Sequence, residues 1–189
     1  MLDNYFEILY LIGLITGSLI RAKYVGRKNW SSFQVVEKLL LAVVSIGMLL
    51  IPVIYLATPW LDLADYHLPL WAGWIGVAVF SIALWLLFRS HADLGRNFSP
   101  TLEIKEGQTL VTCGVYSRIR HPMYAAHWLW AVSQVLLLQN WIAGPAFLVT
   151  FLPMYLYRVP REEQMMIKNF KDEYRSYMKR TGRIIPRFW

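Results

Sequence analysis

The stretch Ser117-Arg-Ile-Arg-His-Pro-Met-Tyr-Ala-Ala-His-Trp-Leu-Trp130 runs from a basic segment into an apolar one. Two arginines, two histidines, a proline and a tyrosine stand at what reads as the edge of a membrane. Polar groups at that depth are costly unless they have partners or work. Whether this edge is a membrane edge decides the fold.

The rest of the chain answers that it is. Of the 189 residues, 57% are hydrophobic, 15% are aromatic and 16% are charged, whereas a soluble domain carries about 25% charged residues. A spanning helix needs about 20 mostly apolar residues. Five segments qualify: Tyr5–Ile20, Leu39–Trp60, Leu68–Phe88, Pro122–Leu138 and Trp141–Tyr157. The last two are joined by little more than Gln139-Asn140 and read as a tight helical hairpin. The expected fold class is therefore an all-α integral membrane protein with five transmembrane helices, a C-terminal hairpin and a cytoplasmic amphipathic tail helix.

Charge sets the orientation. With five spans, all nineteen lysines and arginines fall on one side. They lie between the first two spans (Arg21 to Lys38), in the third connection (Arg89 to Arg120) and in the tail (Arg158 to Arg187). Asp3, Glu7, Asp62 and Asp65 fall on the other. By the positive-inside rule the N-terminus is outside and the C-terminus cytoplasmic. The chain reads as one multi-pass domain, 1–189. Its cytoplasmic segments 89–121 and 158–189 leave the membrane together at the two ends of the 122–157 hairpin, where they can build a shared site. The net charge of +7 fits a membrane surface or anionic ligands and not nucleic acid, because the basic residues flank apolar runs. The first apolar run has no basic leader before it, so no cleavable signal peptide is expected. Cys113 is the lone cysteine and forms no disulfide within the chain.

At the hairpin entrance, Pro122 suits a first helical turn, and His121, Tyr124 and His127 share one helix face. At the exit, Arg158 and Glu162 stand four residues apart around Pro160, where a kink or a new helix is expected. The bland reading of that pair is a surface ion pair; the functional one is a cation and a carboxylate held beside His121. Met166, Phe170, Tyr174 and Tyr177 mark an amphipathic helix that packs on bilayer or hairpin. There is no dinucleotide-binding or phosphate-loop glycine pattern and no His-Glu-x-x-His motif. His67 and His91 have no second ligand at metal spacing, so no metal is expected.

Gln108-Thr-Leu-Val-Thr-Cys-Gly-Val-Tyr-Ser-Arg-Ile-Arg-His-Pro-Met-Tyr124, then Arg158-Val-Pro-Arg-Glu-Glu163, then Phe170-Lys-Asp-Glu-Tyr-Arg-Ser-Tyr177 with a closing proline, resembles the isoprenylcysteine carboxyl methyltransferase family. It is also similar to the related membrane phospholipid methyltransferases. The resemblance covers residues 108–187. It implies S-adenosylmethionine as cofactor, with S-adenosylhomocysteine as product, bound without a Rossmann domain. Carried over residue by residue, it implies that Gln108, Thr109, Leu110, Val111, Tyr116, His121, Pro122, Met123, Tyr124 and Glu162 hold the cofactor. It assigns Arg158 to the carboxylate of a lipophilic, isoprenylcysteine-like substrate. The length and five spans are similar to the family's prokaryotic branch, for which the plasma membrane is the expected location. Three alternatives stand beside this reading: a phospholipid amine N-methyltransferase, an NADPH-dependent enzyme of the sterol-reductase type, and a non-enzymatic scaffold.

Overall fold

The computed structural model describes residues 5–25, 34–99, 101 and 107–187. Among the described residues six α-helices carry the architecture: α1 (Tyr5–Val25), α2 (Val35–Ser45), α3 (Ile51–Ala57), α4 (Leu70–Leu94), α5 (Pro122–Leu138) and α6 (Ala146–Arg180). A π-helical turn, Ile46–Leu50, joins α2 to α3. No ladder of strands occurs among the described residues, only two isolated bridges. Helices close their own backbone hydrogen bonds, which a segment in lipid must do.

Helices α1, α4 and α5 are apolar on most faces and sort them by side-chain fit. On α1, Phe6, Tyr10 and Leu14 recur every four residues and are buried, while Ile8, Ile12, Ile15 and Leu19 face outward. Gly17 lets the Trp130 ring of α5 lie against α1: a Cβ there would come within 2.3 Å of the ring. Small residues at such crossings allow close backbone approach. The π turn follows from Pro52, which has no N–H to give to the preceding turn. One freed carbonyl, that of Gly47, accepts from Gln134 Nε2 at 3.1 Å. Gln134 also donates to the Ala143 carbonyl and accepts from Tyr10 Oη at 2.7 Å. This buried amide ties α1, the π turn and α5 together.

Three stretches are long and apolar enough to cross a membrane: Tyr5–Tyr24, Val35–Ala57 and Leu70–Asn97. They correspond to the first three expected spans, with different ends. The first and third helices run several residues further, to Val25 and Leu94, and Trp60 lies in a 3-10 turn, Pro59–Ala64, beyond the second. The last two expected spans are the helical pair α5 and α6. Here the sequence reading needs two corrections. Helix α6, the fifth expected span, starts at Ala146, not Trp141, because Asn140 Oδ1 accepts from the backbone N–H groups of Ile142 and Ala143 and holds 141–145 in turns. The tail helix parts from the helix before it at Lys171 and not at Pro160. Helix α6 passes through Pro153 and Pro160, and its break is at Lys171 (φ 45°, ψ −119°). Burial of Val159 and the contacts of Arg158 and Glu162 hold the helix across Pro160.

The two ends of the bundle differ in charge. At one end, Asn140 Nδ2 donates to Asp65 Oδ1 and to the Leu61 carbonyl, which joins the α3–α4 turn to the α5–α6 turn. At the other end Arg21, Arg120 and Arg158 surround a cavity. Asp3, Arg27, Lys28 and Lys105, counted in the charge argument, lie outside the described residues.

Candidate active site

The site is built on the His121-Pro122 turn. Proline starts α5, and His121 precedes it in a non-helical conformation (φ −124°, ψ 60°). The chain after α6 returns to brace this turn. Arg120 N–H donates to the Gly182 carbonyl and His121 N–H to the Arg183 carbonyl, both at 2.9 Å. The side chain of Arg120 donates to Glu163 Oε1 at 3.1 Å through Nε and Nη2, and to the carbonyls of Met178 and Thr181. Arg183 grips the same carboxylate at 2.8 Å.

Glu162 and Glu163 flank the imidazole of His121. Nδ1 lies 3.6 Å from Glu162 and Nε2 lies 3.4 Å from Glu163. Burial favours the neutral imidazole, but the two carboxylates outweigh it and raise the His121 pKa. Burial likewise works against the ionised Glu162; the neighbouring His121 imidazole and the charge of Arg158 outweigh it and lower its pKa. Glu163 has the same opposition of burial to His121, Arg183 and Arg120, and its pKa falls to about 2. Glu162 also accepts from Tyr124 Oη at 2.5 Å and pairs with Arg158 Nε at 3.3 Å. So Glu162 is a half-buried carboxylate gathered by three side chains from both ends of the α5–α6 pair.

The opposite wall comes from the end of α4 and the segment after it. Asn97 Oδ1 accepts from Thr109 N–H at 3.1 Å and pins Gln108–Val111 over α4. Gly114 has φ +59°, and a Cβ there would lie 2.1 Å from Asp93 Oδ2; that oxygen accepts from Val115 N–H instead. Tyr116 is then fixed from both sides, its hydroxyl donating to the Ser90 carbonyl and its carbonyl accepting from Tyr177 Oη.

Between these walls is a cavity of about 490 Å³, within the usual range for small-molecule sites. All ten residues expected to hold the cofactor line it, as does Arg158. His127 lines it too, and so do Met166, Tyr174 and Tyr177 from the second half of α6. Phe170 is half-buried. No cluster of three or more His, Cys, Asp or Glu suited to a metal occurs among the described residues.

Sequence reasoning passed over several residues here. Glu163, next to the chosen Glu162, completes the brace with Arg120 and Arg183. Arg21 was counted only as charge, yet it reaches the cavity from α1 and donates to His127 Nε2 at 2.9 Å. His91, considered only as a metal ligand, lines the same cavity. The doubled Glu162-Glu163 carried a signal; the Arg21–His127 contact spans 106 residues and has no local trace.

Comparison with known proteins bears on the same region. The isoprenylcysteine carboxyl methyltransferase family matches residues 74–168, just over half of the chain. The protein-S-isoprenylcysteine O-methyltransferase of Schizosaccharomyces pombe is 31% identical over 94 residues, covering 49% of this chain and 40% of that protein. Arabidopsis thaliana enzyme B is 30% identical over 118 residues, covering 61% and 60%. The Homo sapiens enzyme is 34% identical over 94 residues, covering 49% and 33%. The chain thus spans between about a third and three fifths of these relatives' length. The solved structure of the eukaryotic intramembrane Ras methyltransferase ICMT shares the fold, with a TM-score of 0.55 at 22% identity, over 95% of this chain and 62% of that one. With the family match extending over most of α4, the His-Pro turn and α6 as far as residue 168, the chain belongs to the isoprenylcysteine carboxyl methyltransferase family.

Proposed function

We propose that this chain is an S-adenosylmethionine-dependent membrane methyltransferase that esterifies the carboxylate of a lipophilic, isoprenylcysteine-like acceptor. The observation that carries this reading is the single cavity lined by all eleven residues that the family pattern assigns to cofactor and substrate. The relatives, named as isoprenylcysteine O-methyltransferases, support it. We further propose five spans, with the N-terminus outside and the C-terminus cytoplasmic, so that the cavity opens at the basic, cytoplasmic end. Cysteines introduced at Asp62 and Arg183 should then label from opposite sides; labelling from one side contradicts it.

The donor set fits the cofactor. Its ammonium and ribose hydroxyls need acceptors, and Glu162, held ionised by His121 and Arg158, is one. Leu110, Val111, Met123 and the ring of Tyr116 offer an apolar wall for an aromatic base. When bound, S-adenosylmethionine supplies a methyl group on a positively charged sulfur. The residues' task is then alignment, which accounts for much of the rate of such a displacement. A carboxylate acceptor is ionised at neutral pH and needs no general base. Arg158 would orient it through a two-point contact. The acceptor oxygen forms the new bond to the methyl carbon as the carbon–sulfur bond breaks, and the electron pair stays on sulfur.

The test is methyl transfer from labelled S-adenosylmethionine to a prenylcysteine carboxylate, beside a lipid amine, with NADPH binding measured in parallel. Ester formation supports the reading. Transfer only to the amine favours a phospholipid N-methyltransferase. NADPH binding without S-adenosylhomocysteine binding favours the reductase class, and binding of neither leaves a scaffold.

A further inference from the structure

Three arginines line the cavity; Arg120 is held by Glu163 and the returning chain, and the partners of the other two differ. Arg158 has Glu162 at 3.3 Å and the buried Glu37 within electrostatic reach. Arg21 has the imidazole of His127 as its hydrogen-bond partner, and no carboxylate among the described residues forms an ion pair with it. His127 Nδ1 lies 2.6 Å from the Met123 carbonyl. Two such atoms at that distance require the proton on Nδ1, so Nε2 carries a lone pair and accepts from Arg21 Nη1. The contact therefore aims the guanidinium without neutralising it.

A second group stands unused at the same corner. His91 is 2% exposed, lines the cavity, and its Nδ1 has no hydrogen-bond partner. Its ring stacks at 5.0 Å on Tyr24, one turn after Arg21 on α1. Arg21 also feels the charge of Arg158. A cation without a counter-ion, a second cation in reach and an unpartnered imidazole nitrogen are each costly in a closed site. One ligand relieves all three: an anion with two oxygens. Leu41 and Val44 of α2 line the same cavity, which suits a ligand whose remainder is apolar.

We propose that Arg21, aimed by His127 and assisted by His91, binds the carboxylate of the methyl acceptor between itself and Arg158. This deepens the function proposed above and rests on it for the acceptor's identity. It adds a specificity residue from α1, a helix outside the region that the family match covers. Sharing the carboxylate between two guanidiniums fixes its direction, and the donor's cationic sulfur completes its surroundings.

The test compares wild type, Arg21→Gln, Arg21→Lys and His91→Gln in detergent. Two bindings are read: S-adenosylhomocysteine by calorimetry, and S-farnesylcysteine acid against its primary amide by displacement of a fluorescent prenyl probe. Neither needs turnover. Wild type should prefer the acid by at least about tenfold, the worth of one charged hydrogen bond. Arg21→Gln should cut that preference by about tenfold, Arg158 keeping the remainder, and leave S-adenosylhomocysteine affinity within about twofold, with Arg21→Lys and His91→Gln in between. An unchanged acid preference in Arg21→Gln overturns the proposal. So does an acid preference absent from wild type, or a loss confined to S-adenosylhomocysteine, which would give Arg21 to the cofactor's own carboxylate. If Arg21→Gln does not fold, an unaltered preference in both Arg21→Lys and His91→Gln overturns it equally. Wild type that prefers the acid but transfers no methyl would sink the methyltransferase reading and leave the anion site standing.

Discussion

Glu162 and Glu163 are neighbours in sequence and belong to different regions of the molecule. Glu163 turns toward the returning C-terminal segment, where Arg120 and Arg183 saturate it, and it is 4% exposed. Glu162 turns into the cavity, where Tyr124, His121 and Arg158 gather around it. Both touch the imidazole of His121, one on each ring nitrogen. The difference teaches how a helix end divides its labour. A carboxylate turned away from the cavity and gripped by two arginines is a brace. One that lines a cavity can exchange contacts with a ligand. His121 lies between them and couples the brace to the cavity.

The largest effect is expected from the brace. Glu163→Ala leaves Arg120 buried without its carboxylate, and breaking a buried pair costs about 3–5 kcal/mol. Thermal or denaturant unfolding in detergent should show a loss of that order, and a change within about 0.5 kcal/mol, as at an ordinary surface site, would break the distinction between the two acids. His121→Ala should cost less and read differently. S-adenosylhomocysteine affinity measured by displacement should fall by about 1–3 kcal/mol, the worth of a hydrogen bond to a charged group. Wild-type affinity in this variant would remove His121 from the cavity's function.

Arg158→Lys keeps the charge and loses the two-point fork. Turnover on a prenylcysteine carboxylate should fall by about tenfold, an effect of about 1.4 kcal/mol, with S-adenosylhomocysteine binding near normal. Unchanged turnover would reduce Arg158 to a partner of Glu162, and equal loss of both would move it to the cofactor side. The smallest effect concerns pH. Glu163 has a folded pKa of about 2 against an ordinary 4.5. Its contribution to stability is complete above 4.5 and is lost as pH falls through about 2. His121 has a folded pKa above its ordinary 6.5, so its contribution is complete below 6.5 and is lost as pH rises through the raised value. Stability should therefore be highest between these limits, and His121→Asn should flatten the alkaline side alone. An unchanged alkaline slope in that variant would show that the two glutamates do not hold the imidazolium.

Much of this was legible in the sequence because it is written locally. Apolar runs of spanning length gave the helices, and His121-Pro122 marked the start of α5. Element ends were less legible. Asn140 bonds the backbone two and three residues on and Pro52 withholds an N–H from the turn before it; these are local signals of turn chemistry, invisible to apolar run length alone. The course of α6 through Pro160 follows from burial of Val159, the Arg158–Glu162 pair within the helix and the contact of Glu162 with Tyr124, which outweigh the proline's local preference. In the site, residues on the hairpin ends were found from spacing and family pattern. Arg21 and His91 were not, because α1 and α4 meet the cavity only in three dimensions. Glu163 was hidden by its neighbour: the sequence shows two acids, and only the returning chain at Gly182-Arg183 decides which one faces the cavity.

The most direct test of that division is a calorimetric titration of S-adenosylhomocysteine into wild type and Glu162→Gln, with folding checked by the unfolding midpoint. The account predicts one site per chain in wild type. In Glu162→Gln it predicts binding weakened by at least about tenfold, the loss of one charged hydrogen bond, at a nearly unchanged midpoint. No binding heat in wild type, or equal affinity in the two proteins, would contradict it.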